Sequence, residues 1–156
     1  MGKSILDGKR ILTVDDEPDV LEILHEEISS LYPSCQMDRA STYEEAAEKL
    51  KAEAYDLVIL DIMGVRGFDL LEIAVSRNFK VAMLTAHALT LDALKKAFNR
   101  KALAYIPKEK LGGVVPFLED VLQYEYLPGW QRLLSKLKGF FESKFGLGWE
   151  KKIDIS

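Results

Sequence analysis

Short apolar segments rich in branched residues recur along the chain, and helix-period patterns fill the intervals between them. Segments 10–14, 35–40, 56–61, 80–85 and 104–107 have the length and composition of strands. Between them Val20, Leu21, Leu24 and Ile28 fall at three- and four-residue spacings, as do Tyr43, Ala46, Ala47 and Leu50. Leu70, Leu71, Ala74 and Val75 repeat the spacing, then Leu91, Leu94, Ala97 and Phe98. Each set marks a helix with one buried face, and Val114, Val115, Leu118, Val121 and Leu122 mark a fifth. The first, third and fourth strands are nearly continuous in apolar residues, as strands covered on both faces are. Strict alternation of such strands with helices predicts a doubly wound α/β domain with a parallel sheet.

Local punctuation agrees. Pro33 stops the first helix, Ser41 or Thr42 caps the second ahead of Glu44 and Glu45, and Gly112-Gly113 precedes the fifth. After Leu127-Pro128-Gly129 a new pattern starts, with Trp130, Leu133, Leu134, Leu137, Phe140, Phe141 and Phe145 on one face until Gly146 and Gly148 end it. The expected division is a domain over residues 1–127 and an amphipathic helix with its tail over 128–156, with no separate output domain. An apolar face of that size must be covered. Docking on the domain itself or on a second copy is the expected cover. Arg132, Lys136, Lys138 and Lys144 on the opposite face would suit an anionic bilayer surface, and a partner protein's groove is the third option.

Composition adds limits. The 156 residues carry 21 Lys+Arg against 25 Asp+Glu, a formal net charge of -4, which is ordinary for one globular domain. Residues 1–127 hold 15 basic and 22 acidic side chains, whereas 128–156 hold 6 and 3. So acidic a body repels phosphate chains, and nucleic acid is not an expected partner. The apolar runs are far shorter than the ~20 residues of a membrane span. A single cysteine, Cys35, cannot form an internal bridge, and with no apolar leader the expected compartment is the cytoplasm.

In an open parallel sheet, the residues that end the strands converge where the strand order reverses. Here the first strand ends in Asp15-Asp16, the third in Asp61, the fourth in Thr85 and the fifth in Lys108. Carboxylates brought together repel unless a cation joins them, and an all-oxygen set without His or Cys favours a hard ion such as Mg²⁺. The lysine and the hydroxyl suit the oxygens of a phosphoryl group. A flavin site would want a Ser/Thr/Gly-rich phosphate loop after the first strand, where Asp15-Asp16-Glu17 stands instead. A dehalogenase-type phosphatase would want two acids two residues apart, whereas Asp15 and Asp16 are adjacent. His25 among Glu22, Glu26 and Glu27 reads as a solvated helix face, and Cys35 as a small buried hydrophobe.

With these residues in place, the chain over roughly 8–126 resembles the receiver domain of two-component response regulators. Ile11-Leu12-Thr13-Val14-Asp15-Asp16-Glu17-Pro18 is similar to the family's acidic opening and Leu57-Val58-Ile59-Leu60-Asp61 to its phosphoacceptor strand. Thr85-Ala86 is similar to its switch pair, and Tyr105-Ile106-Pro107-Lys108 to its closing lysine. The resemblance implies a flavodoxin-like sheet in the order 2-1-3-4-5 with five flanking helices, to which the hydrophobic pattern after Gly129 adds the extra carboxyl-terminal amphipathic helix. It implies that Asp61 accepts a phosphoryl group from a histidine kinase, a phosphotransfer protein or a small phosphodonor, aided by Thr85 and Lys108. It implies Mg²⁺ held by Asp15, Asp16, Asp61 and the backbone carbonyl of Met63, and a switch made of Thr85 and Tyr105. The protein would then be a self-phosphorylating signal carrier or relay member, not a turnover enzyme, with an unnamed downstream protein partner. A homodimer through the fourth helix and fifth strand, or through the tail, is a further expectation.

The family pattern is broken after the phosphoacceptor, where Asp61-Ile62-Met63-Gly64-Val65-Arg66-Gly67 contains no proline and the interval to Thr85 is shortened. Gly64 and Gly67 are the residues able to supply unusual backbone angles in so trimmed a loop. A degenerate receiver serving as a phosphorylation-independent scaffold is the rival expectation. Met63 and His87, each two residues beyond a signature position, flank the route of attacking water and are expected to tune hydrolysis.

Overall fold

The computed structural model describes residues 5–86 and 89–153. β1 (Arg10–Val14), β2 (Gln36–Ala40), β3 (Leu57–Asp61), β4 (Lys80–Thr85) and β5 (Ala104–Pro107) form one parallel sheet in the order β2-β1-β3-β4-β5. The connections are α1 (Pro18–Leu31), α2 (Tyr43–Ala52), α3 (Gly67–Ser76) and α4 (Leu91–Asn99), and α5 (Val115–Gln123) follows β5. In β1, β3 and β4 every residue is buried except Arg10 and Lys80 at the strand starts, whereas the edge strand β2 buries only Ala40. That contrast is the reason the central strands read as unbroken apolar runs and the edge did not.

Two strands begin one residue later than their apolar pattern predicts, because the residue before each is used as an anchor. The Asp56 carboxylate accepts the Arg10 backbone N–H at 2.9 Å, and Cys35 Sγ donates to the Leu6 carbonyl at 2.9 Å. Of the two candidate caps of α2, Thr42 takes the position: its side chain accepts the Glu45 N–H at 3.2 Å. Among the described residues no helix is long and apolar enough to cross a membrane.

The tail differs from a single helix starting after Gly129. α6 (Tyr126–Lys136) starts earlier and contains Pro128 in its first turn, where a missing N–H breaks no intrahelical bond. The helix then breaks at Leu137 (φ -103°, ψ 11°), α7 (Lys138–Phe145) follows, and Trp149–Lys152 form a short 3₁₀ turn. Gly139, a poor helix former, comes just after the break. The bend lets two apolar faces meet one curved domain. Trp130, Leu133, Leu137, Phe141 and Trp149 are all buried, so the apolar face of the tail is covered by the chain's own α4, β5 and α5.

Candidate functional site

The site grows from the carboxyl ends of the strands. Asp61 is the last residue of β3, beside Leu84 in the register with β4, and Thr85 ends β4 beside Pro107 of β5. Asp15 and Asp16 follow β1 directly, and Lys108 follows β5. The three aspartates bring one carboxylate oxygen each within 4.8 Å of one another; Asp15 and Asp61 are buried and Asp16 is exposed. Lys108 Nζ lies 2.9 Å from Asp15 Oδ2, 3.2 Å from Asp61 Oδ1 and 2.9 Å from Glu17 Oε1. The Glu17 backbone N–H donates to Asp15 Oδ1 at 2.9 Å, which fixes the turn from β1 into α1. Asp16, Glu17, Asp61, Met63 and Gly64 line an open cleft of about 290 Å³ above these groups.

One lysine therefore pairs with three carboxylates while a fourth, that of Asp16, stands among them, and the electrostatics show the imbalance. Burial, followed by the charge of Asp15, pushes the Asp61 carboxyl up to about 6 against the pull of Lys108. Burial also raises Asp15, although Lys108 and the Glu17 N–H oppose it. Burial works against the Lys108 ammonium too, but hydrogen bonds to Asp15 and Glu17 and the attraction of Asp61 outweigh it and hold the lysine well above its ordinary range. A pocket with this much unneutralised negative charge fits a small divalent cation, and its all-oxygen donors fit a hard one.

The trimmed loop explains how the carboxylates come so close. A Cβ on Gly64, whose φ is +86°, would sit 2.4 Å from Asp16 Oδ2, so Asp16 lies across a bare backbone. Gly67 is needed for a different reason than backbone angle: a Cβ there would fall 2.0 Å from the Asp61 carbonyl oxygen. The left-handed conformation expected of Gly67 belongs to Arg66 (φ 54°) instead, whose guanidinium bonds Asp69 Oδ2 at 2.9 Å and lies 4.1 Å over the Tyr43 ring. With Gly67 opening α3 only six residues past Asp61, no room is left for the longer loop of the family pattern.

Thr85 is buried, its Oγ1 without a hydrogen-bond partner of good geometry; burial raises the Tyr105 hydroxyl above its ordinary range, and the neighbouring Thr85 hydroxyl and Thr90 N–H only oppose that rise. Tyr105 is fully buried on β5, and its hydroxyl lies 3.3 Å from the Thr90 N–H and 3.4 Å from the Thr90 carbonyl at the start of α4. Met63 is 53% exposed on the rim of the cleft, and His87 lies outside the described residues. Glu17 was quoted in the opening motif without a role, and the structure gives it one as a third anionic partner of Lys108. The signal lay in the composition: three acids in succession facing a single cation must share it.

The sequence was compared with protein-family models, and the model for the response regulator receiver domain matches residues 11–111. The chain belongs to the response regulator receiver domain family. Among characterised relatives, the sensory transduction protein LytR of Staphylococcus haemolyticus is 37% identical over 101 residues. The two-component response regulator ARR18 of Arabidopsis thaliana is 36% identical over 107 residues. These matches cover 64% and 65% of this chain but only 39% and 16% of the relatives, both much longer proteins. A CheY-like receiver domain protein from Methanospirillum hungatei aligns with a TM-score of 0.60 and 28% identity over 74% of this chain and 96% of its own. A LuxR-family two-component response regulator from Aurantimonas shares the fold with a TM-score of 0.67 at 22% identity, over 83% of this chain and 98% of its own. The receiver's flavodoxin-like order, 2-1-3-4-5, is the one observed here.

Proposed function

We propose that this receiver takes a phosphoryl group onto Asp61 from a histidine kinase or phosphotransfer protein in the cytoplasm. It then signals through a conformational switch or passes the group along a relay. The observation that carries this is the convergence of Asp15, Asp16 and Lys108 on the buried Asp61 at the ends of the strands. In the transfer an Asp61 carboxylate oxygen bonds to phosphorus while the bond from phosphorus to the donor atom breaks, its electron pair leaving with the donor. Such a step needs in-line placement and charge neutralisation more than proton transfer.

Each residue of the site has a part that its position supports. Lys108, already 3.2 Å from Asp61 Oδ1, balances charge on one phosphoryl oxygen, and the buried Thr85 hydroxyl donates to another. Asp15, Asp16, Asp61 and the Met63 carbonyl would hold Mg²⁺, which when bound neutralises the excess negative charge of the pocket. Drawing Thr85 toward the phosphoryl group empties space behind it, which makes Thr85 and Tyr105 the switch pair. Met63 on the cleft rim, with His87, tunes access of the water that hydrolyses the phosphoryl aspartate. The protein acts as a phosphoacceptor, not as an enzyme turning over an external substrate.

Intact mass spectrometry after incubation with acetyl phosphate tests the proposal. A single phosphoryl adduct is expected on the wild type with Mg²⁺, and none on Asp61→Ala or with the metal chelated. Folded wild type that takes no adduct would overturn the reading and leave a phosphorylation-independent scaffold.

A further inference from the structure

The tail packs on the same strand that carries the switch tyrosine. Phe141, fully buried, places its ring 6.4 Å from that of Tyr105 and 5.2 Å from that of Trp149. Eleven residues earlier in the tail, the Trp130 indole N–H donates to the Ala102 carbonyl at 2.8 Å, just before β5. Phe98 of α4 receives Trp130 edge-on at 5.4 Å and stacks on Tyr126 at 5.0 Å, and the Tyr126 hydroxyl donates to the Phe98 carbonyl. Arg132 and Lys136 both pair with Asp120 of α5. The tail is thus fastened to α4, to β5 and to α5, with Phe141 packed against Tyr105.

Tyr105 is connected to the pocket along the chain in two ways. Its hydroxyl sits on the backbone of Thr90, whose own side chain accepts the Ala93 N–H and caps α4, five residues after Thr85. Along β5 it stands three residues before Lys108. Any ligand that draws Thr85 and Lys108 together must therefore act on the packing around the Tyr105 ring. With Phe141 packed against it and none of its surface exposed, the Tyr105 ring is held in a buried position, the one that a retreating Thr85 makes roomier. A ligand at Asp61 and the docked tail then favour the same arrangement, which is positive coupling between two sites.

We propose that residues 126–153 are an intramolecular brace that holds Tyr105 buried and so strengthens the binding of a phosphoryl group at Asp61, docking more firmly in return. This rests on the reading of Asp61 as the phosphoacceptor. The α4–β5 edge is consequently occupied by the chain's own tail in both states, and the tail's outer surface is what a partner meets.

The two tryptophans of the chain, Trp130 and Trp149, both lie in the tail and are both buried, so their fluorescence reports on the tail alone. The probe is Mg²⁺ with beryllium fluoride, a reversible stand-in for a phosphoryl group on a carboxylate, and its affinity is read independently by fluorine NMR. In the 156-residue chain, saturation is expected to lower acrylamide quenching of the tryptophans. Phe141→Ala, or Phe141→Leu should the alanine variant fail to fold, is expected to weaken beryllium fluoride binding about fivefold or more. Leu147→Ala, at an 88% exposed tail position, is expected to leave it unchanged. Equal affinity in wild type and Phe141 variants, or tryptophans that stay as accessible or become more so on saturation, would overturn the brace while leaving the phosphoacceptor standing. Wild type that binds no beryllium fluoride and takes no adduct from acetyl phosphate would overturn both.

Discussion

At the ends of β1 and β3, Asp15, Asp16 and Asp61 stand together with Glu17 nearby, and one ammonium group answers them. On the β5 side, ring contacts form two sets, Tyr126–Phe98–Trp130 and Tyr105–Phe141–Trp149, in which Trp130, Phe141 and Tyr105 are fully buried. Apolar burial stabilises the second region directly, whereas like charges in low dielectric destabilise the first until a cation arrives. Where binding is to occur, the fold leaves repulsion uncompensated; where it needs a permanent seam, it uses aromatic packing. The two regions should respond oppositely to truncation of a side chain.

The largest expected effect is in the aromatic seam. Trp130→Ala removes a fully buried ring and its hydrogen bond to Ala102, and should cost about 3–5 kcal/mol of unfolding free energy. Urea denaturation of the 156-residue chain measures it. A loss below about 1 kcal/mol would place Trp130 outside the cooperative core and break the comparison, since exposed positions change stability by no more than about that.

The second effect has the other sign. Asp61→Asn removes one of the crowded carboxylates and should stabilise the metal-free protein at pH 7 by about 1–3 kcal/mol, the upper figure being what the rise of that group from 3.8 to about 6 corresponds to. Added Mg²⁺ should stabilise the wild type more than the variant and narrow the gap. A variant no more stable than wild type without metal would show that Lys108 alone already neutralises the pocket.

The same contrast governs what could be read from the sequence. Strand-ending acids, the hydroxyl and the lysine were legible because an open parallel sheet brings strand ends together whatever the helices do. Parallel order and the buried central strands were legible from unbroken apolar runs. Neither the break at Leu137 nor the surface the tail covers was, because a helix period marks one face without saying how far the axis stays straight. Pro128 misled in the same way, since proline stops a helix in its interior but is harmless in its first turn. Gly67 was attributed to backbone angle, yet what it answers is the approach of the Asp61 carbonyl, a tertiary contact with no local signature. Glu17's pairing with Lys108 joins the ends of β1 and β5, 91 residues apart in the chain, and depends on the turn held by Asp15.

The smallest expected effect sharpens the comparison by pH. At the β2 edge, Asp38 accepts a hydrogen bond from Tyr55 at 2.7 Å and pairs with Arg10 at 3.1 Å, and these hold its carboxyl below the ordinary value of 3.8. A lowered carboxyl binds its proton more weakly in the folded state than in the unfolded one, so its contribution is complete above about pH 4 and is lost as the pH falls through the folded value. Asp61 runs the opposite way: the folded state binds the proton more tightly, so its penalty grows as the pH rises from near 4 to about 6. Asp38 is a third exposed, which screens the pair, and Asp38→Asn should cost only about 0.5–1 kcal/mol at pH 7. Urea denaturation of both proteins at pH 7, 5 and 3 should show that difference constant between the first two and diminished at the third. A gap that persists undiminished at pH 3 would mean that Asp38 acts through its shape and neutral hydrogen bonds, and that charge repulsion in the pocket has no attractive counterpart across the sheet.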